Sequence, residues 1–151
     1  EKTPLLYNWF VFSNTVIRRA VLEKTGNFDE KFISYGGEDT ELAIRINKVS
    51  PGNLRKCGEA LSFHYCDKSL SQYKENMFEY GLNNFNYIIE KHPDYKKTLR
   101  ATLIYSIKGY LVFNHISEFL CFVLLKLIKH PLLIKFLVIN SFVRGARLSK
   151  K

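Results

Sequence analysis

The chain reads as an α/β protein in which a few short strands precede long amphipathic helices. Three observations carry that reading. The stretch Y-N-W-F-V-F-S-N (Tyr7–Asn14) is aromatic and β-branched, the composition of a buried strand. From Thr40 the apolar positions Leu42, Ala43, Ile46 and Val49 recur at helical spacing. The last third is aliphatic and studded with lysines, the pattern of amphipathic helices. A length of 151 residues is one domain's worth of chain, or a large piece of one, and 46% hydrophobic with 15% aromatic residues suffices for a buried core.

Taken in order, Tyr7–Asn14 is the first predicted strand. T-V-I-R-R-A-V-L-E-K-T-G follows as a short helix, with Thr15 as its cap and Gly26 as its stop. N-F-D-E-K-F-I-S-Y-G-G is a loop anchored by Phe28, Phe32 and Tyr35. The helix after it ends at S-P-G-N, residues 50–53. R-K-C-G-E-A-L-S-F-H-Y, residues 55–65, alternates in character as one or two short strands do. Residues 70–91 form a helix with an aromatic face at Tyr73, Met77, Tyr80 and Tyr87, and Pro93 closes it.

Charge divides the chain at His92–Pro93. Residues 1–93 carry twelve Lys or Arg against twelve Asp or Glu; residues 94–151 carry eleven against two, the whole of the +9 excess. Two parts with such different electrostatics have different partners. The expected organisation is a compact part, 1–92, and a basic helical tail, 93–151. On one helix over residues 96–129, with Arg100 at zero, the residues Lys97, Lys108, His115, Glu118, Lys126 and Lys129 fall within about 80° of rotation. Nearly all the rest of the circumference is apolar, more than one core contact covers. Two environments accept such a helix. One is a helical hairpin, with Pro131 turning the chain and L-L-I-K-F-L-V-I-N-S-F-V returning against it. The other is the surface of a bilayer, with lysines at headgroups and Phe, Leu and Ile in the acyl boundary. Lys126, Lys129, Lys135, Arg144, Arg147, Lys150 and Lys151 would favour an anionic inner leaflet. The longest uninterrupted apolar run, Phe119–Leu125, is too short to span. Because the cations are spaced among aliphatic stretches and not clustered with exposed aromatics, a nucleic-acid partner is not expected.

Cys57, Cys66 and Cys121 are an odd number at no disulfide-framework spacing, which fits a reducing compartment. Cys57, His64 and Cys66 lack a fourth ligand and the spacing of a zinc site. The sequence starts at Glu1 with no charged-then-apolar leader. The expected location is the cytoplasm, with the basic tail peripheral at the inner face of the membrane.

The chemistry-bearing stretch is I-S-Y-G-G-E-D-T-E-L-A-I-R-I, residues 33–46. Gly36 and Gly37 let the backbone approach a ligand closely. Glu38 and Asp39 then stand at a helix N-terminus, whose dipole favours their ionised forms. Read alone, the pair serves either as helix caps or as a general base with a partner that holds a sugar hydroxyl. Arg45 is placed to pair with Glu41, four residues back.

The wider pattern S-N-T-V-I-R-R-A-V-L-E-K-T-G-N-F-D-E-K-F-I-S-Y-G-G-E-D-T-E-L-A-I-R-I, with His64 after it, resembles the C-terminal half of family-2 glycosyltransferases and the galactosyltransferase C-terminal domain. It covers about Phe10–Tyr65 and combines an Asn before a helix with paired arginines, a G-x-F-D-E-x-F loop, a Y-G-G-E-D-x-E-L turn and a later histidine. The resemblance implies the acceptor-side half of an A-type nucleotide-sugar transferase fold. It implies Asp39 as the base that deprotonates the acceptor hydroxyl, and Gly37, Glu38 and Asn14 at the acceptor, with Arg18 or Arg19 supporting the site. It also implies His64 as a ligand to a divalent metal, Mn²⁺ or Mg²⁺. The reaction implied is inverting transfer from a nucleotide-sugar donor to a sugar or lipid-linked acceptor in polysaccharide or cell-envelope glycan synthesis. One departure stands out: these residues contain no Asp-x-Asp and no strand-helix units to bind the nucleotide. The remaining metal ligands would come from an N-terminal half, and this chain alone is expected to be inactive. The opposing expectation is a non-catalytic, membrane-associated or partner-binding remnant that keeps the carboxylates as caps.

Overall fold

The structure is a computed structural model that describes residues 3–4, 10–65 and 67–150. The described residues are mostly helical with little strand, so the α/β expectation narrows accordingly. Strand β1 (Thr3–Pro4) pairs antiparallel with β2 (Arg55–Lys56), Thr3 opposite Lys56 and Pro4 opposite Arg55. The helices are α1 (Arg19–Thr25), α2 (Glu38–Val49), α3 (Leu70–Glu79), α4 (Asn86–Lys91), α5 (Ala101–Ile104), α6 (Ile107–Val112), α7 (His115–Leu127) and α8 (Pro131–Leu148).

Two compact units emerge. One takes in the described residues through Ile33 together with those from Gly37 to Tyr65; the other takes in Ser34–Gly36 and the described residues from Asp67 onward. The units part between Tyr65 and Asp67. The change of charge at His92–Pro93 falls inside the second unit, where α3 packs against α8.

In the first unit α2 is the central element. Leu42, Ala43, Ile44 and Ile46 are buried, each large aliphatic stabilising the fold by about 1.5–3 kcal/mol. Val49, at the last turn, is exposed. α1 begins at Arg19, later than Thr15, whose hydroxyl donates to Val11 O instead of capping the helix. It stops at Gly26 as expected, with φ at 78°. The predicted strand Tyr7–Asn14 is replaced where it is described: Phe12–Asn14 is a 3-10 turn, and the Phe12 amide bonds a carboxylate, not a ladder. Tyr7–Trp9 lie outside the described residues. Of residues 55–65 only Arg55–Lys56 forms a ladder; Leu61–Tyr65 has no regular structure and is exposed.

In the second unit a capping box starts α3: Ser69 Oγ accepts from the Gln72 amide, and Gln72 Oε1 from the Ser69 amide. The predicted 70–91 helix is continuous, but Tyr80–Phe85 winds as a π-helix between α3 and α4. The wider turn rotates the following residues, so the buried side is Gly81, Asn84, Phe85, Ile88 and Ile89, while Tyr73 is exposed. Gly81 and Gly145 let this segment and α8 touch backbone to backbone: a Cβ on Gly81 would lie 2.1 Å from Phe142 O, and one on Gly145 would lie 2.1 Å from Phe78 O. Around the crossing, Phe85, Ile89, Ala101, Ile104, Val143 and Ala146 form the core.

The single long helix expected over 96–129 is broken into α5, α6 and α7. Arg100 takes the left-handed conformation (φ 60°) ahead of α5, and Ser106 and Asn114 start fresh helices with side-chain caps. Arg147 closes the pieces, donating to Ile104 O at 3.0 and 2.8 Å and to Phe113 O at 2.6 Å. The hairpin, in contrast, is present: α7 ends at Leu127, the chain turns through residues 128–130, and α8 packs back on α7 from Pro131. Among the described residues no helix is long and apolar enough to cross a membrane.

Candidate functional site

The double glycine makes the turn that the sequence suggests. Gly36 and Gly37 have φ of 82° and 96°, a region that residues with a Cβ rarely adopt. In the helical unit, the buried Asn84 holds the approach to this turn, its Nδ2 donating to Gly36 O at 2.7 Å and to Ser34 O at 3.1 Å. Gly37 is the N-cap of α2 and offers no side chain to its amides. Glu38 and Asp39 are the first two helical residues, within reach of the positive end of the helix dipole.

Neither carboxylate caps its own helix. Asp39 Oδ2 accepts from the Phe12 amide at 3.1 Å, tying residue 12 to the start of α2. Glu38 Oε2 is buried with no hydrogen-bond partner among the described residues. A buried, unsatisfied carboxylate oxygen is costly, on the order of 1–3 kcal/mol or more, and is tolerated where a ligand completes it.

Both side chains line an open cleft of about 530 Å³ in the first unit, together with Phe12, Ser13, Phe28, Asp29, Glu30 and Phe32. Phe12 and Phe28 meet edge to face at 4.6 Å and form an apolar wall beside the acids. Apolar ring faces next to hydrogen-bonding carboxylates match the two sides of a sugar, its C–H patches and its hydroxyls. The F-D-E loop is held in place by Arg45. Its guanidinium bonds the fully buried Glu41 through Nε at 3.0 and 2.9 Å, as the i, i+4 spacing predicts. The remaining donors reach Thr25 O, Gly26 O at 3.2 Å and Asn27 O at 2.7 Å, the chain leading into Phe28 and Asp29. Asp29 Oδ1 accepts from the Lys31 amide at 3.0 Å and tightens the turn.

Of the residues singled out by sequence, Glu38 and Asp39 line this cleft, and Gly37 precedes them as the N-cap of α2. Asn14 does not line it; its side-chain amide donates to Ala60 O at 2.9 Å and tethers the strandless segment after β2. His64 is exposed and does not line it either. Cys57 is exposed, and Cys66 lies outside the described residues. Asp29 and Glu30 stand beside the acid pair without having been assigned a role; their signal was the acidic step in G-N-F-D-E. The Arg45 fork was legible as an ion pair with Glu41, but its three carbonyl contacts are long-range and leave no mark in local spacing.

Residues 7–90 match the family described as Glycosyltransferase like family 2. No curated protein and no solved structure matches the chain.

Proposed function

Because the chain belongs to the glycosyltransferase-like family 2, we propose that the cleft at the head of α2 is the acceptor side of a sugar-transfer site and that Asp39 is its general base. Family membership implies a nucleotide-sugar donor and an acceptor in general terms; the assignments to individual residues are the reading offered here. Asp39 would take the proton from an acceptor hydroxyl. The freed oxygen bonds to the anomeric carbon as the bond to the departing nucleoside diphosphate breaks on the opposite face, which inverts the anomeric configuration. Glu38, whose Oε2 lacks a partner, would accept a hydrogen bond from the acceptor sugar and hold it in line. Gly37 keeps the approach free of a Cβ, and Asn14 contributes by positioning the neighbouring chain. The unsatisfied Glu38 oxygen beside Asp39 and an aromatic wall is the observation that supports this reading most.

Among the described residues no three His, Cys, Asp or Glu side chains come together. His64 would supply one ligand to a divalent ion, Mn²⁺ or Mg²⁺, whose other ligands lie outside this chain, and no step above runs through it. The donor would be held by a half that carries the nucleotide. The acceptor would be a sugar or a lipid-linked glycan of polysaccharide or cell-envelope synthesis, used at the inner face of the membrane.

The Phe12–Asp39 hydrogen bond favours a second reading, in which Asp39 is a structural tie and the chain a non-catalytic remnant. Asp39→Asn separates the two in an enzyme that joins this chain to a donor-binding half. The first reading expects transfer to fall by about 10²–10⁴-fold with folding intact. Transfer at the unaltered rate would remove Asp39 from the chemistry.

A further inference from the structure

Helix α7 is built inside out. With Glu118 at zero on the helix, Asn114 and Cys121 lie within about 60° of it, and this side meets α8. Glu118 is paired with Lys74 and Arg144 on that side, and Asn140 donates to Asn114 O at 3.2 Å and to Glu118 at 3.4 Å. Glu118 and the N-cap Asn114 of α7 are therefore spent within the fold. The outer stripe, between about 100° and 200°, is Ile116, Phe119, Leu120, Val123 and Leu127. Ile116 is 74% exposed, Phe119 66% and Leu127 76%. Ile128 and Leu132 continue the exposed apolar surface through the hairpin turn, and Ile107 and Leu111 add to it on α6. A monomer in water rarely leaves so much contiguous apolar surface bare.

The charges indicate what covers it. Glu118 is the one carboxylate between residues 95 and 151, and it faces inward. Arg144 and Arg147 are also consumed internally, which removes them from the surface cations expected from sequence. Among the exposed lysines are Lys108, Lys126, Lys129 and Lys135. Lys126, Lys129 and Lys135 flank the turn end of the hairpin. A second copy meeting this face symmetrically would set lysines against lysines with no acid between them.

We infer that the α7–α8 hairpin lies in the interface of an anionic bilayer, with the Ile116–Phe119–Leu120–Val123–Leu127 stripe in the acyl boundary and Lys126, Lys129 and Lys135 at the headgroups. Interfacial helices bind in this way, by apolar insertion reinforced by attraction to anionic lipid. The surface rests on the membrane location proposed above and gives it a structural element, but it makes no use of Asp39.

The test is co-sedimentation of the 151-residue chain with phosphatidylcholine vesicles, with and without phosphatidylglycerol. Binding is expected with the anionic vesicles and should weaken as salt rises. Phe119→Gln with Val123→Gln, both exposed changes to a good helix former, should lower partitioning about tenfold or more while the circular dichroism stays unchanged. Replacing Lys126, Lys129 and Lys135 by Gln should cost about fivefold per lysine on anionic vesicles. A chain that stays in the supernatant with phosphatidylglycerol present would overturn the inference. So would a wild-type dimer that Phe119→Gln dissolves, since that outcome assigns the face to a second copy. Asp39→Asn should bind vesicles as the wild type does, so loss of the catalytic reading and loss of this one are told apart.

Discussion

Adding one methyl group at Gly145 or Gly81 should unfold the helical unit far more readily than its size suggests. In each case the new Cβ would sit 2.1 Å from a backbone carbonyl oxygen of the opposing helix, and at Gly145 also 3.0 Å from the Leu82 amide nitrogen. Ordinary contact between such atoms begins above about 3 Å, so the helices must separate by on the order of 1 Å. Backbone cannot rotate aside as a side chain does. The separation would loosen the layer of Phe85, Val143 and Ala146, and the stacked Tyr80–Phe142 pair at 5.0 Å beside it. Overpacking of this kind costs about 1–3 kcal/mol and sometimes more, whereas Ala gains back about 1 kcal/mol over Gly within a helix. Because the clash here is backbone on backbone, a net loss of about 2 kcal/mol is expected for each variant. Urea unfolding followed by helical circular dichroism reads the effect: with a slope of about 1–3 kcal/mol/M, the midpoint should fall by roughly 1 M. Gly58→Ala is the control, since a Cβ there meets nothing within 4 Å. Midpoints for Gly81→Ala and Gly145→Ala that match this control would refute the close-crossing argument.

Acid should weaken the same unit. Burial pushes the Glu118 carboxyl up, but the hydrogen bonds and charges of Lys74 and Arg144 outweigh it and hold it below 4.5. Its stabilising contribution is therefore complete above about pH 4.5 and is lost as pH falls through the lowered native value. Glu118→Gln should flatten that part of an unfolding-versus-pH curve, and an unchanged slope would show that the triad contributes nothing there. Arg45→Lys keeps the charge but not the fork, so the Thr25–Asn27 carbonyls lose their donors at a cost of about 1–3 kcal/mol. Faster proteolytic nicking within residues 26–33 is expected; wild-type resistance there would mean the fork does not hold the loop.

The parts legible in sequence are those whose signals are local. Helix α2 follows from Leu42, Ala43 and Ile46, Gly26 stops α1 because a left-handed residue is needed there, and the Gly36-Gly37 turn needs two more. The failures have a common physical origin, a loss of helical phase. A wheel drawn through 96–129 assumes an unbroken 100° step. Arg100 in a left-handed conformation breaks it with no glycine to announce it, and Asn114, inside the span drawn as one helix, is a cap. The π-turn at Tyr80–Phe85 shifts the face of the 70–91 helix in the same way, so an aromatic stripe was read where Asn84 and Phe85 do the packing. At the site, Gly37, Glu38 and Asp39 were readable from adjacency. The cleft around them was not, because Phe12 and Phe28 reach it from distant positions and Phe12–Asn14 forms a 3-10 turn where strand was expected.

The Arg45 fork also sets limits on how the loop it grips can change in length. Its donors are spent on residues 25–27, and its own place on α2 is locked to Glu41 one turn away. Extra residues inserted between 28 and 33 would bulge outward and leave the acids where they stand. One residue added between Asp39 and Glu41 would swing Glu38 and Asp39 by about 100° about the helix axis, out of register with the fork. The spacing from the paired acids to Arg45 thus behaves as a fixed ruler, and the loop ahead of it as the adjustable part.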